Sequence, residues 1–143
     1  MKLIATLGPI GFLPAPGTCS TLFTLLFIYL LSPFTLLSYF FLFITVFLVG
    51  FYVISASLKK IKAYDPSEII FDEVIGSVVT FFAITISLKS MIIGFLLFRF
   101  FDITKVCGIK KVEKIPGALG VICDDIVAGL LSNVLLRVIL HYW

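Results

Sequence analysis

The feature that most constrains this chain is the run of residues 34–58, which is rich in Phe, Leu, Val and Ile and contains no charged side chain. A helix needs about 20 apolar residues to cross a bilayer, so this run is long enough to span a membrane with some tilt. Of the 143 residues, 61% are hydrophobic and 13% are charged, whereas an ordinary soluble domain has about 25% charged residues. A chain of this size cannot bury so much apolar surface within itself. The sequence therefore argues against a water-soluble monomer, a disordered chain and a disulfide scaffold.

Four other apolar segments accompany this run, and they are predicted to be helices as well. They cover residues 18–31, 69–88, 90–101 and 117–140. The short segments 18–31 and 90–101 leave two possibilities open, a simple span and a re-entrant or steeply packed helix. Residues 8–17 contain three prolines and three glycines, a composition that predicts no regular helix there. We therefore predict a single all-α domain over residues 1–143, a polytopic membrane bundle of four to five apolar helices.

The lysines are concentrated in two loops, and they predict how the chain is oriented. One group is Lys59, Lys60 and Lys62, and the other lies within residues 103–116. Positively charged loops stay on the cytoplasmic side, and two apolar segments separate these loops, so both are predicted to face the cytoplasm. This orientation also places every acidic residue on the cytoplasmic side. The apolar segments make the lipid bilayer an expected partner. The chain has no basic tail, so nucleic acid is not an expected partner.

Four acidic residues lie within apolar sequence, where an ionised carboxylate is costly unless it is paired or bound to a cation. They are Asp72, Asp102, Asp124 and Asp125. Gly76 follows Asp72 by four positions and Gly129 follows Asp125 by four, so each pair shares one helix face. Small residues let a neighbouring helix approach closely. We therefore expect carboxylates from three segments to meet in one pocket, whereas Glu68 and Glu113 fit ordinary pairing with cations at the membrane edge.

The residue types of this pocket favour one kind of phosphate chemistry. Carboxylates without accompanying His or Cys ligands suit Mg²⁺ rather than zinc or copper, and Arg99 and Lys105 can carry the charge of a phosphate group. The single His is His141, at the opposite end of the bundle, no Cys is followed six residues later by Arg, and no Asp-x-Asp pair occurs. What remains is metal-assisted hydrolysis, in which Mg²⁺ neutralises the phosphate and positions or activates a water molecule.

Four blocks of sequence then occur in a recognisable order. They are Leu13-Pro14-Ala15-Pro16-Gly17-Thr18, Asp65-Pro66 with Asp72-Glu73-x-x-Gly76, Phe98-Arg99-Phe100-Phe101-Asp102-Ile103-x-Lys105, and Gly120-Val121-x-x-Asp124-Asp125-x-x-Ala128-Gly129. Together they closely resemble the phosphatidylglycerophosphatase A family of bacterial inner-membrane lipid phosphatases. The resemblance implies a multi-pass enzyme of phospholipid biosynthesis. It also implies Mg²⁺-dependent hydrolysis of phosphatidylglycerophosphate to phosphatidylglycerol and phosphate at the cytoplasmic face of the membrane.

The same resemblance implies roles for individual residues. The acids that would hold the metal or activate water are Asp72, Glu73, Asp102, Asp124 and Asp125. The residues that would bind phosphate or shape a backbone loop beside it are Arg99, Lys105, Pro16, Gly17 and Thr18. A Gly-Thr turn that opens a helix suits an anion because free N–H groups point at it, but a plain helix start with Thr18 as N-cap fits the residues equally well. The chain departs from the family at residues 19–21, where an aromatic residue, Gly and Ser are usual, and at 106–108, where prolines are usual.

Two other functions fit some of these residues. A small cation transporter or channel subunit could use the same acids as an ion path, but such a path needs polar groups at several depths. Segment 34–58 is almost wholly apolar, and no acid lies near the outer side. A purely structural family member is the other alternative, and the presence of all five motif acids argues against it. The lipid phosphatase is therefore the favoured hypothesis.

Overall fold

The structure, a computed structural model, describes residues 16–30, 35–58, 70–106, 108–112 and 114–142. Within these ranges the chain forms six helices and no strand, which are α1 (Pro16–Leu30), α2 (Leu36–Leu58), α3 (Phe71–Thr80), α4 (Leu88–Thr104), α5 (Ile109–Val112) and α6 (Ala118–Tyr142). The prediction of an all-helical chain is confirmed. The sequence features that lie outside the described residues are Leu13–Ala15, the lysines at 59–62, Asp65-Pro66, Glu68 and Glu113.

Two of these helices are candidates for crossing a membrane. Helices α2 and α6 are long and apolar enough to do so by length and composition, and α1 is a shorter apolar helix. Only 17% of the most apolar stretch of α2 is buried inside the protein, so most of that helix presents its side chains outwards. Such a surface matches lipid rather than water. A bundle of four to five spanning helices stays a prediction.

The predicted helical segment 69–88 is shorter in the structure than in the sequence interpretation. Helix α3 ends at Thr80, a turn follows at 81–83, residues 84–87 are not helical, and α4 begins at Leu88. The break between these two helices therefore covers residues 81–87. The non-helical stretch predicted for 8–17 also ends earlier, because Pro16 and Gly17 open α1. Proline fits the first turn of a helix, where its missing N–H has no intrahelical partner to lose.

Two polar side chains of α6 explain why α3 can stop at Thr80. The Asn133 amide donates to the carbonyls of Val79, Thr80 and Phe82 at 3.3, 2.8 and 2.9 Å. Arg137 donates through Nη2 to the carbonyls of Phe82 and Ala83, at 2.9 and 3.2 Å, and through Nε to Asn133 Oδ1. A carbonyl left without a donor in apolar surroundings is costly, so these bonds stabilise the early end of the helix.

Helix α3 crosses α6 at two glycines, and this crossing is the centre of the fold. A Cβ on Gly76 would lie 2.7 Å from the Asp125 carbonyl oxygen, and a Cβ on Gly129 would lie 2.5 Å from the Gly76 carbonyl oxygen. No larger residue fits at either position without moving the backbones apart. The prediction that Gly76 and Gly129 allow close helix approach is confirmed.

Candidate active site

Five carboxylates gather where the start of α3, the end of α4 and the second turn of α6 meet. Asp125 lies at the centre and is 3% exposed. The acids close enough to interact with it electrostatically are Asp72, Asp102, Asp124 and Glu73. The sequence predicted that acids from three segments would converge, and the structure brings all five together. Their individual chemical roles stay predictions.

The glycine crossing is what places Asp72 beside Asp125. Asp72 lies one turn before Gly76 on α3, and Asp125 lies one turn before Gly129 on α6. Because the two helices touch at the glycines, the turns that precede them are adjacent as well. Both carboxylates are buried, and two buried negative charges side by side need a positive charge between or next to them.

Arg99 supplies positive charge to one side of the cluster. Its Nη1 donates to Glu73 Oε1 at 3.2 Å and to Asp102 Oδ2 at 2.7 Å, so a single guanidinium connects α3 with the end of α4. The Nε of the same side chain is buried and has no hydrogen-bond acceptor among the described residues. Arg99 therefore holds two of the acids and still has a donor left for a ligand.

Lys105 supplies positive charge to the other side of the cluster. It follows the last residue of α4 and adopts the left-handed conformation, with φ at 48°. Its N–H donates to the Phe101 carbonyl at 2.9 Å, and its Nζ pairs with Asp124 Oδ2. The left-handed region costs a residue with a Cβ roughly 1–2 kcal/mol. Strain of this kind is found at functional sites, where the surrounding structure holds it in place.

Asp125 differs from its neighbours because no hydrogen-bond donor reaches its carboxylate from the described part of the chain. Arg99 is shared by Glu73 and Asp102, and Lys105 is engaged with Asp124. Among the described residues, no cation pairs directly with the carboxylate at the centre of the cluster. A buried carboxylate in this situation is costly when ionised, so it either takes up a proton or has a cation next to it.

The first turn of α1 covers the Arg99–Glu73 pair. A Cβ on Gly17 would overlap Glu73 Oε1 and lie 2.9 Å from Arg99 Nη1, so a larger residue would have to displace these side-chain ends. Ser20 fixes the helix there by donating from Oγ to the Ile70 carbonyl at 3.0 Å, next to the start of α3. Thr18 lies inside the first turn, two residues after Pro16. The alternative in which Thr18 is the N-cap is therefore wrong.

The donor set fits a hard divalent cation, because every candidate ligand is a carboxylate oxygen. In the described residues, however, no three acidic, His or Cys side chains are already arranged as metal ligands. Arg99 and Lys105 each occupy carboxylate oxygens that a metal would otherwise take. Metal binding by these five acids stays a prediction, and it requires the acids to rearrange around Asp125.

Sequence comparisons define the family. The sequence profile of the family described as phosphatidylglycerophosphatase A matches residues 3–140, and the chain belongs to that family. The Escherichia coli phosphatidylglycerophosphatase A is 31% identical over 90% of this chain and 76% of its own length. The Haemophilus influenzae phosphatidylglycerophosphatase A is 31% identical over 100% of this chain and 95% of its own length.

A third relative has a different name. A protein of Bacteroides thetaiotaomicron, provisionally named a phosphatidylinositol-3-phosphatase, is 34% identical over 95% of this chain and 91% of its own length. No solved structure matches the chain. The relatives and the family identify the chain as an enzyme and a lipid phosphatase, and they give no support to the transporter alternative.

Three residues that hold the two ends of α3 in place were missed at the sequence level. They are Ser20, Asn133 and Arg137. Asn133 and Arg137 are two polar residues four positions apart within an apolar helix, a signal that could have indicated a hydrogen-bond network on that helix face. Ser20 stood out only as a departure from the family pattern, and the structure shows that it ties α1 to the start of α3.

Proposed function

We propose that this chain hydrolyses phosphatidylglycerophosphate to phosphatidylglycerol and phosphate, with Mg²⁺, at the cytoplasmic face of a bacterial inner membrane. The observation that carries this proposal is the convergence of five carboxylates on Asp125 with Arg99 and Lys105 beside them. Acids alone would repel a phosphate, and cations alone would bind it without activating water. Both together, joined by a divalent cation, suit hydrolysis of a phosphate monoester.

Asp72 and Asp125 are the residues best placed to hold the metal, because they are buried, adjacent and on two different helices. Three more acids can complete the set of metal ligands when Arg99 and Lys105 turn from them towards the substrate. They are Asp102, Asp124 and Glu73. Mg²⁺ is usually bound by one or two carboxylates while substrate phosphate and water take its other positions. When bound, the ion supplies positive charge to the phosphate and makes a nearby water molecule more acidic.

Arg99 and Lys105 bind the phosphate in this mechanism. The buried Nε of Arg99 donates to one phosphate oxygen, and Lys105 Nζ turns from Asp124 to another. The attacking water gives its proton to a carboxylate of the cluster as its oxygen bonds to phosphorus. The ester bond between phosphorus and the glycerol oxygen breaks, and that oxygen takes up a proton as phosphatidylglycerol leaves. The two cations stabilise the negative charge that spreads over the phosphate oxygens.

The test is phosphate release from phosphatidylglycerophosphate by the purified chain in detergent micelles. We expect activity that EDTA abolishes and added Mg²⁺ restores. Phosphatidylinositol 3-phosphate serves as the second substrate, because a relative carries that name, and we expect it to be hydrolysed more slowly. Full activity in EDTA would contradict the metal mechanism, and a preference for the inositol lipid would replace the proposed substrate.

The orientation can be tested separately at Lys111, an exposed residue of the short helix α5. A Lys111→Cys variant in which the native cysteines are replaced by Ser should react with a membrane-impermeant maleimide in inverted vesicles and not in intact spheroplasts. The opposite labelling pattern would place the site on the outer face.

A further inference from the structure

An apolar groove runs between α1, α2 and α3. Its volume is about 250 Å³, and its walls include Phe23 and Phe27 of α1, Val46 of α2, and Phe71 and Val74 of α3. Thr24 is the polar residue in the wall, but its hydroxyl donates to the Ser20 carbonyl at 2.9 Å. The groove therefore offers a ligand apolar contacts and no free hydrogen-bond donor from that threonine.

The groove and the candidate active site both include residues at the start of α3. Phe71 is the residue immediately before Asp72, and it packs against Gly50 of α2, where a Cβ would lie 2.9 Å from the Phe71 ring. On the other wall, Gly17 in the first turn of α1 contacts the Arg99–Glu73 pair, and Phe23 of the same helix lines the groove. Six residues of helix separate these positions, which corresponds to about 9 Å. Along α1, the groove thus starts about 9 Å from the Arg99–Glu73 pair and extends away from it.

This arrangement matches the layout of a phospholipid, which has a charged head group at one end and apolar tails at the other. Charged groups that suit a phosphate lie at one end, and an apolar channel continues from them. We propose that the groove between α1, α2 and α3 binds an acyl chain of the phospholipid substrate while its phosphate lies at Arg99 and Lys105. The proposal rests on the proposed function and adds to it the part of the protein that recognises the lipid tail.

A second apolar groove provides an internal control. Its volume is about 350 Å³, and it lies between α2, the end of α3 and the middle of α6, with Phe40, Val79, Phe82, Leu130 and Asn133 in its walls. It is the larger of the two, but it leads to the Asn133 network rather than to the Arg99–Glu73 pair. It also does not border α1. A lipid that merely coats the protein would occupy both grooves alike.

The test compares two half-exposed phenylalanines, Phe27 in the first groove and Phe40 in the second. For each alanine variant, kcat/KM is measured on dioleoyl phosphatidylglycerophosphate and on its soluble dibutanoyl form. We expect Phe27→Ala to lower the long-chain to short-chain ratio about tenfold, the loss that follows when roughly two methylene groups lose their apolar contacts. The ratio should be unchanged in Phe40→Ala. An unchanged ratio in Phe27→Ala, or the same fall in both variants, overturns the proposal.

A second measurement uses the unaltered chain and does not depend on turnover. A phosphatidylglycerophosphate analogue with a diazirine in one acyl chain should crosslink to the peptide containing Phe23 and Phe27, and unlabelled substrate should compete. Equal labelling of the peptide containing Leu130, without competition, overturns the groove assignment. If the unaltered chain releases no phosphate from either substrate, the proposed function fails, and competed crosslinking alone still decides whether the groove binds the lipid tail.

Discussion

The two ends of helix α3 are built from opposite kinds of interaction. At its start, Asp72 and Glu73 belong to a cluster of five carboxylates, and two of the described cations, Arg99 and Lys105, pair with acids of this cluster. At its end, the carbonyls of Val79, Thr80, Phe82 and Ala83 each receive a hydrogen bond from Asn133 or Arg137. Among the described residues, acids outnumber cations at the first end, whereas the carbonyls of the second end all have hydrogen-bond donors.

The start of α3 therefore belongs to the candidate active site, and its end serves the stability of the fold. A site that must bind and release a charged ligand keeps groups whose partners can be exchanged, and its stability suffers as a result. A helix end inside apolar surroundings has no water to bond its carbonyls, so it needs fixed donors. Substitutions at the start of α3 should therefore change activity more than stability, and substitutions at its end should do the reverse.

The largest effect is expected for Asp125→Asn. Loss of this charge removes the centre of the cluster, so kcat should fall about a hundred- to a thousandfold. Thermal stability in detergent should be unchanged or higher, because the variant relieves repulsion among five buried or half-buried acids. Phosphate release and unfolding temperature measure the two quantities. Activity close to that of the unaltered chain would remove Asp125 from the catalytic machinery.

The converse is expected for Asn133→Ala at the other end of α3. This variant leaves three carbonyls without the Asn133 amide, so the free energy of unfolding should fall by about 2–4 kcal/mol. The folded fraction should keep a normal KM, because Asn133 lies away from the acids. Val134→Ala is the matched control, since Val134 is the exposed neighbour on the same helix. Equal destabilisation in both variants would show that the hydrogen bonds are unimportant.

The two ends also differ in how far the sequence predicts them. The convergence of the acids follows from local spacing: Asp and Gly four residues apart mark one helix face, and charge within apolar sequence demands a partner. The end of α3 could not be found in this way, because Asn133 and Arg137 bond residues 51 to 55 positions away in the chain. Apolar residues continue through 81–88, so composition predicted a longer helix. Hydrogen bonds between segments that are distant in the sequence end helix α3 instead.

The same limit applies to Gly17 and Lys105. Lys105 was predicted to bind phosphate from its charge and its place in a family motif, and Gly17 was predicted from the motif to shape the loop beside the phosphate. Neither charge nor motif reveals what these residues touch. The structure places Gly17 against Glu73 and Arg99, and it places Lys105 on Asp124 across two helices. These contacts depend on how α1, α4 and α6 pack, which no local pattern describes.

A smaller effect is expected for Gly17→Ala, a substitution where α1 contacts Glu73 and Arg99 at the start of α3 and the end of α4. The new methyl group must displace the Glu73 carboxylate from Arg99, so we expect KM to rise about tenfold, the equivalent of about 1.4 kcal/mol. Gly117→Ala is the control. Gly117 has a φ of 80° and no atom within 4 Å of the added Cβ, so that variant should lose about 1 kcal/mol of stability and keep its KM. An unchanged KM in Gly17→Ala would separate α1 from the phosphate site.

The smallest effect is expected at Ala83, beyond the end of α3, and Lys105 at the site provides the comparison. These are the two residues other than glycine that adopt the left-handed conformation in the described residues. Ala83→Gly should raise the free energy of unfolding by about 0.5–1 kcal/mol, because glycine adopts this conformation without the steric cost of a Cβ. Activity should not change. Lys105→Gly relieves the same strain but leaves the buried Asp124 carboxylate without its ammonium partner, so it should bring no gain in stability and a large loss of activity. Denaturation curves and kcat/KM for the two variants distinguish these outcomes. If Lys105→Gly instead became more stable and stayed active, the strain at the site would have no functional role.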